Sequence, residues 1–153
     1  MNIPYPRQVI LVSSRYKGKD NVMTLSWHSP ASFNPELYAI FVGKERYSYE
    51  LIKKSKCFCI NFISKDDGDI AVLAGRNSGK NIDKFEKIEK EECEKIDCPR
   101  LKKAQAYMEC QLIDEFETGD HAVFVGKVVH KKEIKRGGRL FQIEGNTFTT
   151  TVE

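Results

Sequence analysis

The sequence predicts a mainly β protein, and three observations carry that prediction. β-Branched and aromatic residues fall in short runs of alternating or continuous apolar character, such as Val22-Met23-Thr24-Leu25-Ser26-Trp27 and Ala122-Val123-Phe124-Val125. Turn-forming clusters separate those runs, among them Lys17-Gly18-Lys19-Asp20-Asn21 and Glu117-Thr118-Gly119. The helical patterns between them are short and read as insertions. Closely spaced strands with turn signals point to a barrel rather than to the βαβ units of a parallel sheet.

The elements follow in order. Val9-Ile10-Leu11-Val12 opens the first strand, and Val22 to Trp27 forms the second. Pro30 and Pro35 bracket a loop, after which Leu37-Tyr38-Ala39-Ile40-Phe41-Val42 is a buried strand. Residues 48–54 read as a short helix with Ser48 as N-cap and Glu50 in its first turn. Cys57 to Ile63 is the next strand. Asp69 is positioned to cap a helix over 70–74 that Gly75 ends, and 82–90 reads as a second, polar helix. Residues 93–99 are loop-like. Residues 104–113 alternate well, with Ala106, Met108, Cys110 and Leu112 on one face and Tyr107, Glu109 and Gln111 on the other. Residues 122–129 form the strongest strand, and 140–143 with 147–152 form a closing hairpin around Gly145-Asn146.

Composition narrows the function classes. The 153 residues suit one domain, with 41% hydrophobic and 31% charged residues. Twenty-five basic and 22 acidic residues leave a net charge of +3, too balanced to imply nucleic acid or an anionic membrane. No apolar run approaches the roughly 20 residues of a membrane span. The opening Met1-Asn2-Ile3-Pro4-Tyr5-Pro6 lacks the basic-then-apolar pattern of a signal peptide. Both point to a cytoplasmic protein. Five cysteines fit that setting. Cys57, Cys59 and Cys110 sit in apolar strand-like runs, while Cys93 and Cys98 lie in a polar stretch without metal-site spacing. Structural thiols and a reactive Cys93/Cys98 pair both stand as readings, and no metal site is expected. No G-x-G-x-x-G follows a strand, no P-loop is present, and no catalytic triad stands out.

Three local features remain. Arg46-Tyr47-Ser48 brings a guanidinium, a hydroxyl and free amides to a helix start, which suits a phosphate. Gly75-Arg76-Asn77-Ser78-Gly79-Lys80, followed by Asp83-Lys84-Phe85, is a cationic, hydroxyl-bearing loop. Thr24-x-Ser26-Trp27 ends a strand, where a barrel mouth collects ligand sites. A helix cap, a turn and a core tryptophan are the ligand-free readings of the same residues.

Taken in order with Glu109-Cys110 and Gly119-Asp120-His121, these pieces resemble the flavin reductase-like family of FMN-binding split barrels, over about residues 4–150. The resemblance implies a Greek-key split β-barrel with short inserted helices. It also implies a homodimer with FMN held near the subunit interface. Asn21, Thr24, Ser26 and Trp27 would run beside the isoalloxazine, and Arg46, Ser48 and Lys84 would serve the phosphate. Tyr47, Asn61, Ser78, Lys80 and Phe148 join the cofactor-binding set, and His121 is the catalytic candidate. NADH or NADPH is the implied donor, with a redox protein as a possible partner. An FMN-bound electron carrier without its own NAD(P)H turnover is the alternative.

Overall fold

The computed structural model describes residues 3–151. Its main feature is a seven-stranded antiparallel sheet in the order β3-β2-β6-β9-β10-β5-β4. The strands are β2 (Ile10–Tyr16), β3 (Lys19–Leu25), β4 (His28–Ser32), β5 (Leu37–Gly43), β6 (Cys57–Phe62), β9 (Ala106–Thr118) and β10 (His121–Glu133). The two edge strands, β3 and β4, are consecutive in sequence, and only Ser26 and Trp27 join them. A link that short forces the sheet to roll until its two edges meet. A smaller sheet pairs β1 (Arg7–Gln8) with the hairpin β11 (Leu140–Glu144) and β12 (Thr147–Thr150). A two-stranded ribbon joins β7 (Lys90–Glu92) to β8 (Pro99–Leu101). The class is mainly β, as the sequence predicts. Val152, placed in the closing hairpin by its sequence, lies outside the described residues.

Strand alternation divides the core. On β2, Ile10 and Val12 face the inside of the rolled sheet, where Phe58, Ile60, Ile40 and Phe124 are all fully buried. Leu11 faces outward onto a second cluster with Ile63, Ala71, Leu101 and Leu140, beneath helix α2 (Gly68–Arg76). Because both faces are covered, β2 reads as a continuous apolar run rather than an alternating one. Helix α1 (Tyr47–Ser55) plugs one end of the roll with Tyr49 and Ile52. Gly126 interrupts the strongest strand where a Cβ would lie 2.7 Å from Phe58 Cζ and 2.8 Å from Cys110 Cβ. The absent side chain lets β10 close over the core.

Five local expectations change. The Pro30 segment is an edge strand, where a residue lacking an N–H does no harm to the ladder. Residues 82–90 form only a 3₁₀ turn at Lys84–Glu86, capped by Asp83 accepting from the Phe85 amide, before β7 begins. Lys84 turns inward there, so the segment presents no continuous polar helix face. Arg46, not Ser48, is the N-cap residue of α1, and Ser48 sits in its buried first turn. Asp67, not Asp69, occupies the N-cap of α2. Gly75 lies inside α2, which runs on to Arg76 rather than ending at the glycine.

Candidate functional site

The rolled edges, the start of α1 and the end of α2 converge on one cleft of about 520 Å³. That size is typical of small-molecule sites. One wall is the end of β3 with Ser26 and Trp27. The opposite wall is the end of β5 through Gly43 and the segment Glu45 to Ser48. Gly75 to Gly79 and Lys84 close a third side, and His121 enters from the start of β10. Register explains the last placement, because His121 pairs with Gly43 at the ends of β10 and β5.

One pole of the cleft is built for an anion. Arg46 is exposed at the N-cap of α1, with no ion pair among the described residues. Helix geometry leaves the Tyr47 and Ser48 amides without intrahelical acceptors and adds a positive dipole end. The Ser48 hydroxyl is buried and accepts from Asn21 Nδ2 at 2.8 Å, so its own proton is free to donate. Asn21 Oδ1 is buried without a hydrogen-bond partner. Gly79 packs closely against it, since a Cβ there would sit 2.3 Å from that oxygen and 2.9 Å from the Tyr47 ring. Among the buried side-chain atoms without a partner in the described residues, Asn21 Oδ1 is the one that belongs to a cleft-lining residue. Ser78 holds the adjoining turn by accepting from the Lys80 amide at 3.2 Å.

Lys84 lines the same pole but is anchored. Its ammonium donates to the carbonyls of Val22 at 2.7 Å and Ala74 at 2.9 Å, tying α2 to β3. Burial, with Arg46 nearby, pulls its pKa down to about 8. Thr24 adds a second tie, its hydroxyl donating to the Ala71 carbonyl at 2.5 Å.

The other pole is aromatic. Trp27 stacks on His121 with ring centroids 4.5 Å apart and planes 21° from parallel. His121 Nδ1 lies 2.6 Å from Asp120 Oδ1, and that bond holds the Asp120 carboxyl below its usual range. The Arg7 guanidinium lies 5.6 Å from the Trp27 ring centre. Trp27 is 36% exposed, so its ring forms cleft wall rather than core.

The cleft thus gathers Asn21, Thr24, Ser26, Trp27, Arg46, Tyr47, Ser48, Ser78, Lys84 and His121. Three residues of the expected set lie outside it. Asn61 is fully buried in the second layer. It donates to the Leu11 carbonyl and Ser13 Oγ, each at 3.0 Å, and accepts from the Leu101 amide at 2.9 Å. It therefore fastens β8 to the sheet. Lys80 is exposed in the adjacent groove, its ammonium 6.0 Å from the Tyr47 ring centre. Phe148 packs on the second core cluster and lines a separate hollow beside Arg76. Sequence reasoning left out Gly43 and Glu45 as cleft residues. Gly43 had a signal, as the residue that ends a buried strand three positions before Arg46. Among the described residues, no three His, Cys, Asp or Glu side chains converge as a metal site would require.

The cleft therefore has an anion-suited pole, a flat aromatic pole and polar side chains between them, an arrangement suited to a flat, phosphate-bearing ligand. Comparison with known proteins agrees. Residues 1–147 match the family model described as a flavin reductase like domain, and the chain belongs to that family. An uncharacterised protein of Archaeoglobus fulgidus is 37% identical over 128 residues, spanning 82% of this chain and 72% of that one. The crystal structure of a flavoredoxin from Methanosarcina acetivorans is similar with a TM-score of 0.90 at 25% identity, covering 98% of this chain and 87% of that one. The flavin reductase HpaC, solved in complex with NADP+, gives a TM-score of 0.85 at 26% identity, covering 96% and 91%.

Proposed function

We propose that the chain is one FMN-binding domain, residues 1–153, acting as a flavin oxidoreductase. It takes electrons from NADH or NADPH and delivers them to an acceptor. The observation that carries this reading is the convergence of Arg46, the free amides at the start of α1 and the Trp27–His121 stack on one cleft of about 520 Å³. Family membership and the flavin reductase and flavoredoxin likenesses support the same reading.

Bound FMN supplies the hydride and electron transfer. The chain's own residues bind and orient. Arg46 and the Tyr47 and Ser48 amides hold the phosphate, and the Ser48 hydroxyl, which accepts from Asn21, keeps its proton to donate outward. Asn21 Oδ1 accepts from a ribityl hydroxyl. Trp27 covers the ring system from the side. His121, braced by Asp120 and stacked on Trp27, orients the nicotinamide and excludes water from its edge. Such a group acts through geometry, because the reacting atoms must approach to about 3–3.5 Å. Exposed Phe33, Ile113 and Phe116 support a homodimer, and five unpaired cysteines support a cytoplasmic setting.

The test is a visible absorption spectrum of the purified protein, followed by anaerobic addition of NADH and NADPH separately. A yellow protein bleached by either nucleotide is the expected result. A yellow protein bleached by neither favours the electron-carrier alternative. A colourless protein that takes up no added FMN overturns both.

A further inference from the structure

Four of the five cysteines gather far from any role in flavin binding. Cys57, Cys59 and Cys98 are buried together with Tyr107, and half-buried Cys93 packs against them. All are free thiols. The β7–β8 ribbon makes this gathering specific. Its register pairs Glu92 with Pro99, and continuing one residue sets Cys93 opposite Cys98. The Cys93 amide donates to the Cys98 carbonyl at 3.0 Å, extending the pairing by one bond, while the Cys98 amide turns to the Ile96 carbonyl at 3.0 Å. Opposed residues of an antiparallel ladder have Cα atoms about 4.5–5.5 Å apart and project from the same face. That spacing lies inside the window a disulfide needs.

The turn between them is pinned rather than loose. Both oxygens of the fully buried Glu109 carboxylate accept from the turn, from the Glu94 amide at 2.9 Å and the Lys95 amide at 2.6 Å. Cys98 Sγ lies 3.2 Å from the Ser13 carbonyl, which holds the inner thiol in place. An accessible outer thiol facing a sequestered inner one is the arrangement of an attacking and a resolving cysteine.

We propose that Cys93 is a site of reversible oxidation by hydroperoxides, resolved by Cys98 as an intramolecular disulfide. The Cys93 sulfur attacks one peroxide oxygen. The S–O bond forms, the O–O bond breaks, and hydroxide leaves. The Cys98 sulfur then attacks Cys93, an S–S bond replaces the S–O bond, and water leaves after taking the thiol proton. Two thiols lose two electrons, and the peroxide becomes two water molecules or, for an organic peroxide, an alcohol and water. The surroundings favour the first step. The neighbouring Cys59 and Cys98 thiols hold the Cys93 thiol well below the usual range, against its partial burial and Glu109 and with Arg100 assisting. Burial pushes Cys59 and Cys98 up, so they remain protonated.

The sequence provides a clean readout, because trypsin cleaves after Lys90, Lys95 and Arg100. Cys93 and Cys98 then lie on separate peptides, 91–95 and 96–100, that only a disulfide can hold together. The reduced protein is treated with hydrogen peroxide, blocked with an alkylating agent and mapped without reductant. The expected result is the joined 91–95/96–100 peptide, reversed by dithiothreitol, with Cys93 lost from alkylation roughly tenfold or more faster than Cys57. Cys98→Ser should instead accumulate a dimedone-reactive sulfenic acid at Cys93. Oxidation of Cys93 no faster than Cys57, or a Cys93–Cys59 link in place of Cys93–Cys98, overturns the proposal. The wild-type map needs no variant, so a poorly folded mutant cannot mask the answer.

Discussion

Gly79→Ala is the sharpest perturbation of the anion pole. A Cβ at that position would lie 2.3 Å from Asn21 Oδ1, 2.9 Å from Asn21 Cγ and 2.9 Å from Tyr47 Cδ2. Ordinary contact needs about an ångström more, so Asn21 must swing away. That movement breaks its 2.8 Å bond to Ser48, a net loss of about 0.5–1.5 kcal/mol. The forced repacking of Asn21 and Tyr47 adds about 1–3 kcal/mol. The sum, about 1.5–4.5 kcal/mol, corresponds to a fall in Tm of roughly 3–18 °C for a domain of this size. FMN affinity should fall at least tenfold, since one lost tenfold corresponds to only about 1.4 kcal/mol. Gly75→Ala is the control four residues away. Its Cβ would meet Thr24 at 3.4 Å, an acceptable contact, and alanine favours the helix interior by about 0.5–1 kcal/mol. Differential scanning calorimetry and a flavin titration of both variants decide the matter. A Gly79→Ala protein with the Tm and FMN affinity of the Gly75→Ala control would refute the cradle.

Three further outcomes follow from the same geometry. Lys84→Met removes the donor from the buried Val22 and Ala74 carbonyls and should cost about 1–3 kcal/mol in thermal or denaturant unfolding. The sign with pH is set by a lysine whose folded pKa, about 8, lies below its unfolded value. Above pH 8 the unfolded chain binds the extra proton, so the parent gains stability relative to Lys84→Met as pH rises from 8 toward 10, and a constant gap across that range sinks the assignment. Trp27 emission should be strongly quenched when FMN saturates the protein, and unchanged emission removes Trp27 from the ring's border. His121→Ala should slow anaerobic reduction by NAD(P)H more than it weakens FMN binding, and equal stopped-flow rates across the nicotinamide range would return His121 to a purely structural role.

The strands were legible because their burial is local and periodic. β2, β5, β6 and β10 bury whole apolar runs, and those runs are visible in one dimension. The failures share a cause. Pro30 reads as loop because its propensity is local, whereas its strand depends on pairing with Tyr38, known only once β4 becomes an edge. The 82–90 pattern reads as helix, yet Lys84 gains more from two carbonyls on distant elements than from continuing a polar helix. Tertiary partners decided both, and neither partner is adjacent in sequence.

The same contrast separates the cleft residues from those outside it. Arg46, Ser48 and Trp27 mark themselves by residue type at an element boundary, where ligand sites collect. Asn61 has the right chemistry and sits mid-strand, but its amide is consumed by Leu11, Ser13 and Leu101. Asn21 carries the same side chain with a different outcome. Its nitrogen is satisfied by Ser48 and its oxygen by nothing among the described residues. Residue type therefore nominates a polar side chain for a site, and unfinished hydrogen bonding selects it. On that criterion Asn21 outranks Lys84 as a ligand-directed group, because the lysine has already spent two of its three protons holding α2 to β3.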